Sequence, residues 1–165
     1  MNCKPHLFLD IDGVLVTSAQ FYTKKLHPKY QTHPFDKKCV QTLNKIIEEI
    51  NPIIILSSDW KFHFELHELN EIFCDNGVIE KITDITPNLW GGRFTRLSQL
   101  EECRAFEILE FIDEKKIANF VAVDDLNLKH WLKHNFVHCP HANEGIKQTN
   151  IKEKIIENIN TLNLN

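Results

Sequence analysis

The sequence has little glycine, no long hydrophobic run and no close pair of cysteines, and each shortage closes off a class of protein. Only five glycines punctuate 165 residues, with no repeat and no low-complexity tract, so nothing reads as a linker between domains. No apolar stretch approaches the roughly 20 residues that span a bilayer, and Met1–His6 lacks the apolar core of a secretory signal. A soluble, cytoplasmic protein is expected. The five cysteines, Cys3, Cys39, Cys74, Cys103 and Cys139, are odd in number and widely spaced, which argues against a zinc ribbon and predicts reduced thiols rather than disulfides. A large excess of one charge is missing too. Against 19 Lys and Arg stand 23 Asp and Glu, for a net charge of −4, so any affinity for a polyanion must come from a local basic strip.

What is present is core material: 42% apolar residues, with eleven Phe and three Trp, enough for one compact domain over residues 1–165. Short continuous apolar runs at His6–Leu9, Ile53–Leu56 and Phe120–Val123, with weaker ones at Val78–Ile82 and Phe136–His138, suit the buried strands of a parallel sheet. Between them lie helical patterns. Val40, Leu43, Ile46, Ile47 and Ile50 keep one face of Asp36–Ile50, which Asn51-Pro52 stops. Trp60–Phe73 repeats the period, Ser98–Lys115 opens on Ser98-Gln-Leu-Glu101, which reads as a capping box, and Leu126–Lys133 and Asn150–Leu162 complete the set. Alternating strands and helices predict a three-layer α/β sandwich, Rossmann-like, with a mainly parallel central sheet. Ligands of such sheets bind beyond the carboxyl ends of the strands.

Those ends carry chemistry. Asp10 and Asp12 follow the first run, spaced so that both side chains of an extended segment point one way, and Gly13 comes next. Ser57 and Ser58 follow the second run, Asp124 and Asp125 the third. Carboxylates gathered this closely repel one another unless a hard cation neutralises them, which predicts Mg²⁺ on oxygen ligands beside a phosphate. Arg104 sits on the apolar stripe of Leu100, Ile108 and Phe111, where a guanidinium must meet an anion. The histidine pairs His63/His67 and His130/His134, and His138 and His141, have metal-like spacing, but the first two pairs fall on polar helix flanks and read as solvated.

These residues resemble the haloacid dehalogenase (HAD) superfamily of aspartate-nucleophile phosphatases. Its first motif matches Leu7-Phe-Leu-Asp10-Ile-Asp12-Gly-Val-Leu15, its second Ile53-Ile-Ile-Leu-Ser57-Ser58, its third Arg104 in Arg104-Ala-Phe-Glu107-Ile108, and its fourth Val121-Ala-Val-Asp124-Asp125. The patterns around Asp59-Trp60-Lys61 and Arg104 look like those of a small capless branch, found alone and fused in nucleic-acid repair proteins. The resemblance implies an Mg²⁺-dependent phosphomonoester hydrolase with Asp10 as nucleophile and Asp12 as general acid and base. It implies a metal held by Asp10, the Asp12 backbone, Asp124 and Asp125, with Asp125 favoured over Asp124 as direct ligand. Ser57 and Arg104 would bind phosphate; Ser58 would share that role or cap the following helix.

The gaps Thr17–Phe35 and Phe73–Ser98 are too short for a cap domain. An open site suits a bulky phosphorylated substrate such as a nucleotide or polynucleotide end, with Trp60, Lys61, Trp90 and Arg93 stacking on it or pairing with it. The basic strip expected for a polyanion is Lys61, Arg93, Arg96 and Arg104. No membrane and no obligate protein partner are expected. The alternative is a catalytically idle module that binds a phosphorylated partner; retention of both Asp10 and Asp12 favours the enzyme.

Overall fold

The computed structural model describes residues 4–91 and 94–162. Strands β1 His6–Leu9, β2 Ile53–Leu56, β3 Ile82–Ile85, β4 Phe120–Asp124 and β5 Phe136–His138 form one all-parallel sheet in the order β3-β2-β1-β4-β5. Helices α1 Lys37–Ile50, α2 Leu66–Asp75, α3 Leu97–Lys115, α4 Lys129–Leu132 and α5 Ile151–Leu162 lie between or after them. Because side chains of a strand alternate, each strand feeds two cores. Leu7, Leu9, Ile54, Leu56, Val121 and Val123 pack with residues of α1, α2 and α5, while Phe8, Ile55 and Ala122 pack with α3 and α4 through Ala105, Ile108, Phe111 and Leu132. The α/β sandwich is as expected. The crossovers add no cap: among the described residues, the segment between β1 and α1 holds one 3-10 turn, Gln20–Tyr22, and that between α2 and α3 holds only β3.

The chain leaves β1 toward β2 and β3, then returns to place β4 on β1's other side. That reversal opens a crevice at the carboxyl ends of β1 and β4, the usual ligand position in such sheets. The parallel ladder continues one step past the strands: Asp10 N donates to Val123 O at 3.1 Å, Ser57 N to Leu9 O at 2.9 Å, Thr86 N to Leu56 O at 3.0 Å and Cys139 N to Asp124 O at 2.9 Å. One register therefore holds the residues just beyond β1, β2, β3 and β5 alongside the end of β4.

Several elements depart from the sequence expectation. The third strand is Ile82–Ile85, not Val78–Ile82. Trp60–Phe73 is not one helix: Asp59–Phe62 is a 3-10 turn, and α2 starts afresh at Leu66 with a capping box between Glu65 and Glu68. Ser98 does not cap α3, whose N-cap is Arg96; Glu101 instead accepts from Asn127 N at 3.1 Å. The helix read at Leu126–Lys133 shrinks to α4, because the chain turns at Lys133 with φ +51°. Cys39, Cys103 and Cys139 are buried free thiols and Cys74 is exposed, while Cys3 lies outside the described residues. Among the described residues no helix is long and apolar enough to cross a membrane.

Candidate active site

Asp10 follows β1 directly and is buried. Asp124 ends β4 and Asp125 follows it; oxygen atoms of Asp10, Asp124 and Asp125 all lie within 4.8 Å of one another. Burial raises the Asp10 carboxyl well above its usual range, Asp124 and Asp125 push it further, and Arg104 and the Ser58 hydroxyl pull the other way. Burial likewise raises Asp124 and Asp125, against the pull of Arg104. Three carboxylates around one guanidinium are short of positive charge, and the missing charge fits a hard divalent cation with oxygen ligands.

Two features make room for this cluster. Residues 11–16 form a tight turn in which Leu15 N and Val16 N donate to Ile11 O. Gly13 within it has φ +73°, and a methyl group on it would overlap the Asp125 carboxylate, so only glycine meets both demands. His138, at the end of β5, places Nε2 2.9 Å from Asp125 O. A carbonyl can only accept, so Nε2 carries the proton and anchors the Asp125 backbone.

The Asp12 carboxylate is not part of the trio. Trp60 Nε1 donates to its Oδ2 at 2.9 Å. Burial raises Asp12 above its ordinary value while the Trp60 N–H and nearby His33 lower it, and a raised carboxyl is suited to giving up a proton on demand. Trp60 is therefore not a surface for a base to stack on: it is 8% exposed and packs its ring against Phe35, with centroids 6.0 Å apart. Asp12 was legible in the sequence, and the tryptophan that orients it was assigned to the substrate instead.

Arg104 does meet anions, though they belong to the protein. Its Nη1 donates to Ser57 O at 2.7 Å and to Asp124 Oδ2 at 2.9 Å and lies 3.3 Å from Asp10 Oδ1; its Nη2 donates to Asp59 Oδ1 at 2.7 Å. Burial alone would lower its pKa, and Asp124, Asp10 and Asp59 more than reverse that. Asp59 is a site residue the sequence reading missed; its position right after Ser57-Ser58 was the available signal. Ser57 and Ser58 are buried, and neither hydroxyl makes a hydrogen bond of good geometry within the protein. Ser58 precedes the 3-10 turn without capping it. Unsatisfied buried hydroxyls at a strand end are donors awaiting an acceptor.

Lys61 corrects the expectation of a substrate-facing cation. Its side chain is 4% exposed, and its three N–H groups are used on Glu107 Oε2 at 2.5 Å, Pro87 O at 2.8 Å and Thr86 Oγ1 at 3.2 Å. Glu107 in turn accepts from Leu89 N at 3.2 Å. Glu107 lies one turn beyond Arg104 on α3, so this knot ties the loop after β3 to the helix that carries Arg104. Trp90 is 48% exposed just beyond the knot and Arg96 is exposed at the start of α3; Arg93 lies outside the described residues. His63, His67, His130, His134 and His141 are exposed, and among the described residues the aspartate trio is the only cluster able to hold a metal.

A family model described as the HAD domain in Swiss Army Knife RNA repair proteins matches residues 6–151, which include every site residue described above. The chain belongs to this family. HAD domains are in general phosphoester hydrolases that work with a metal ion, and the buried aspartates of this one can hold such an ion. No curated protein and no solved structure matches the chain.

Proposed function

We propose that this HAD domain is an Mg²⁺-dependent phosphomonoester hydrolase that works through an aspartyl-phosphate on Asp10. The observation that carries the reading is the different setting of two carboxylates of one turn: Asp10 sits in the trio against Arg104, while Asp12 lies outside it and accepts from the Trp60 indole. An Asp10 oxygen attacks phosphorus and the bond to the ester oxygen breaks, with Asp12 donating its proton to the leaving alcohol. Asp12, now ionised, takes a proton from water; the water oxygen attacks phosphorus, Asp10 is released and inorganic phosphate leaves. Ser57 and Ser58 supply hydroxyl donors to the phosphoryl oxygens.

Mg²⁺ would be held by Asp10, Asp125 and the Asp12 backbone carbonyl, with Asp124 beside them, and would neutralise phosphoryl charge. Both Asp124 oxygens already accept hydrogen bonds, from Arg104 and from Leu126 N at 2.9 Å, which supports Asp125 as the direct ligand. Arg104 acts mainly by holding Asp10 and Asp124 in place.

With no cap to close over it, the site is suited to a substrate whose own bulk excludes water, such as a nucleotide or polynucleotide end. Hydrolysis of an aryl phosphate with and without Mg²⁺ tests the chemistry. Turnover should require Mg²⁺ and vanish in Asp10→Asn. A wild-type protein that binds phosphorylated ligands without turning any over would instead be a binding module.

A further inference from the structure

Two members of the basic strip anticipated from sequence, Lys61 and Arg104, are buried and paired within the protein, while Arg96 is exposed. A group of three uncommitted cations lies elsewhere. A cleft of about 810 Å³ opens between the segment after β1 and the start of α1, lined by Lys25, Lys37, Lys38 and Lys147 together with His27, Asp36 and Asp75. Lys147 pairs with Asp36 at 2.6 Å and His27 lies 3.0 Å from Asp75. Lys25, Lys37 and Lys38 make no side-chain contact with any described acid and are exposed. In a chain of net charge −4, this is a local positive groove.

Two further observations say what fits there. Lys37 and Lys38 occupy the first two positions of α1, a helix with no acidic residue in its first turn. Positive charge there opposes the helix dipole, so helix stability does not explain these lysines. In the sequence between the cleft residues Gln20 and Lys25, Tyr22 is 87% exposed and Phe21 is half-exposed. Lysines beside exposed aromatic rings are the combination that takes a single nucleic-acid strand, phosphates on the amines and bases on the rings.

The cleft also adjoins the residues that hold Asp12. Phe35, one of its walls, packs on Trp60, and Trp60 holds Asp12. The group that accepts the Asp12 proton is the part of the substrate beyond the phosphate. We infer that the strand attached to a terminal phosphate leaves the site past Asp12 and lies in this cleft, with its phosphodiesters on Lys25, Lys37 and Lys38 and a base on Tyr22. The inference rests on the phosphatase reading for its direction, and its test does not depend on turnover.

Fluorescence anisotropy of a labelled, unphosphorylated RNA strand of about twelve nucleotides, without divalent ions, measures the groove alone. Removing three phosphate contacts should reduce the slope of log affinity against log salt by about 2 in the triple variant K25Q/K37Q/K38Q. Aryl-phosphate turnover should stay at the wild-type value, and the melting temperature should be no lower than that of wild type. Tyr22→Ala should weaken binding several-fold with the slope unchanged. Wild-type protein that ignores the strand, a triple variant with the wild-type slope, or stronger binding of an equally charged acidic peptide would each overturn the groove assignment. Loss of the phosphatase reading shows differently, as absent aryl-phosphate turnover beside intact strand binding.

Discussion

Asp12 and Trp60 are 48 positions apart in the chain and joined by one hydrogen bond. If that bond aims Asp12 at the leaving oxygen, its loss must matter most when the leaving group needs a proton. Trp60→Phe keeps an aromatic ring against Phe35 and removes the donor. An alkyl phosphomonoester should then be hydrolysed about tenfold more slowly or worse, while an aryl phosphate, whose phenolate leaves unaided, should be much less affected. Comparing kcat for the two substrates in wild type and variant checks this. Equal losses on both would mean that Trp60 supports the site only through packing.

At the scale of elements, the Lys61–Glu107 knot joins the end of β3 to α3 from positions 46 residues apart. Both groups are hidden from water, so Lys61→Met leaves a buried carboxylate without its counter-charge and should destabilise the fold by about 3–5 kcal/mol. Lys61→Met combined with Glu107→Met removes both charges and should recover much of that stability in urea titration. At the start of α1, Asp36 Oδ1 accepts from Lys38 N and Cys39 N, while Lys147 pairs with Oδ2. Burial alone would raise the Asp36 carboxyl, but Lys147 and the two N–H groups outweigh it and hold the pKa below the usual value. The folded form therefore favours the ionised carboxylate. Its stabilisation is complete above the unfolded pKa of about 3.9 and is lost as pH falls through the lower folded value. Asp36→Ala should cost about 1 kcal/mol near neutral pH, and melting curves of the two proteins should converge in acid.

These elements also show what a sequence can and cannot display. β1, β2 and β4 are legible because buried parallel strands are uninterrupted apolar runs, and each ends in the residues that make the site. α1 is legible from its period and its Asn51 stop, which adopts φ +45°. β3 is not: it is an edge strand reading Ile-Thr-Asp-Ile, while the more apolar Val78-Ile79 before it packs only in part. Trp60 and Phe62 matched the helical period of the segment that follows, and a hydrogen bond to a distant aspartate outweighed that local pattern. The assignment of Lys61 to the substrate failed for the same reason, because its partner Glu107 belongs to a different element.

For the whole molecule, metal and fold are linked. A cation that binds only the native state raises stability by RT ln(1 + [Mg²⁺]/Kd), about 2.7 kcal/mol at a hundredfold excess over Kd. Mg²⁺ should therefore raise the melting temperature of wild-type protein, and EDTA should reverse the gain. Asp125→Asn removes the proposed direct ligand but also one of three crowded carboxylates. It should melt no lower than wild type without metal and should lose the Mg²⁺ response. A variant that still gains stability from Mg²⁺ would place the ion elsewhere.

Placing β4 beside β1 also has a consequence for how the protein is made. During synthesis β1, β2 and β3 emerge in order and can pair, yet β1 keeps one edge open until β4 arrives. Until then Asp10 has neither Asp124 nor Arg104's full set of partners, and the nascent chain presents an apolar parallel edge of the kind that invites mispairing. Closing that edge and assembling the site are a single late event in the growth of the chain. A fragment ending before Phe120 should thus be both inactive and prone to aggregate.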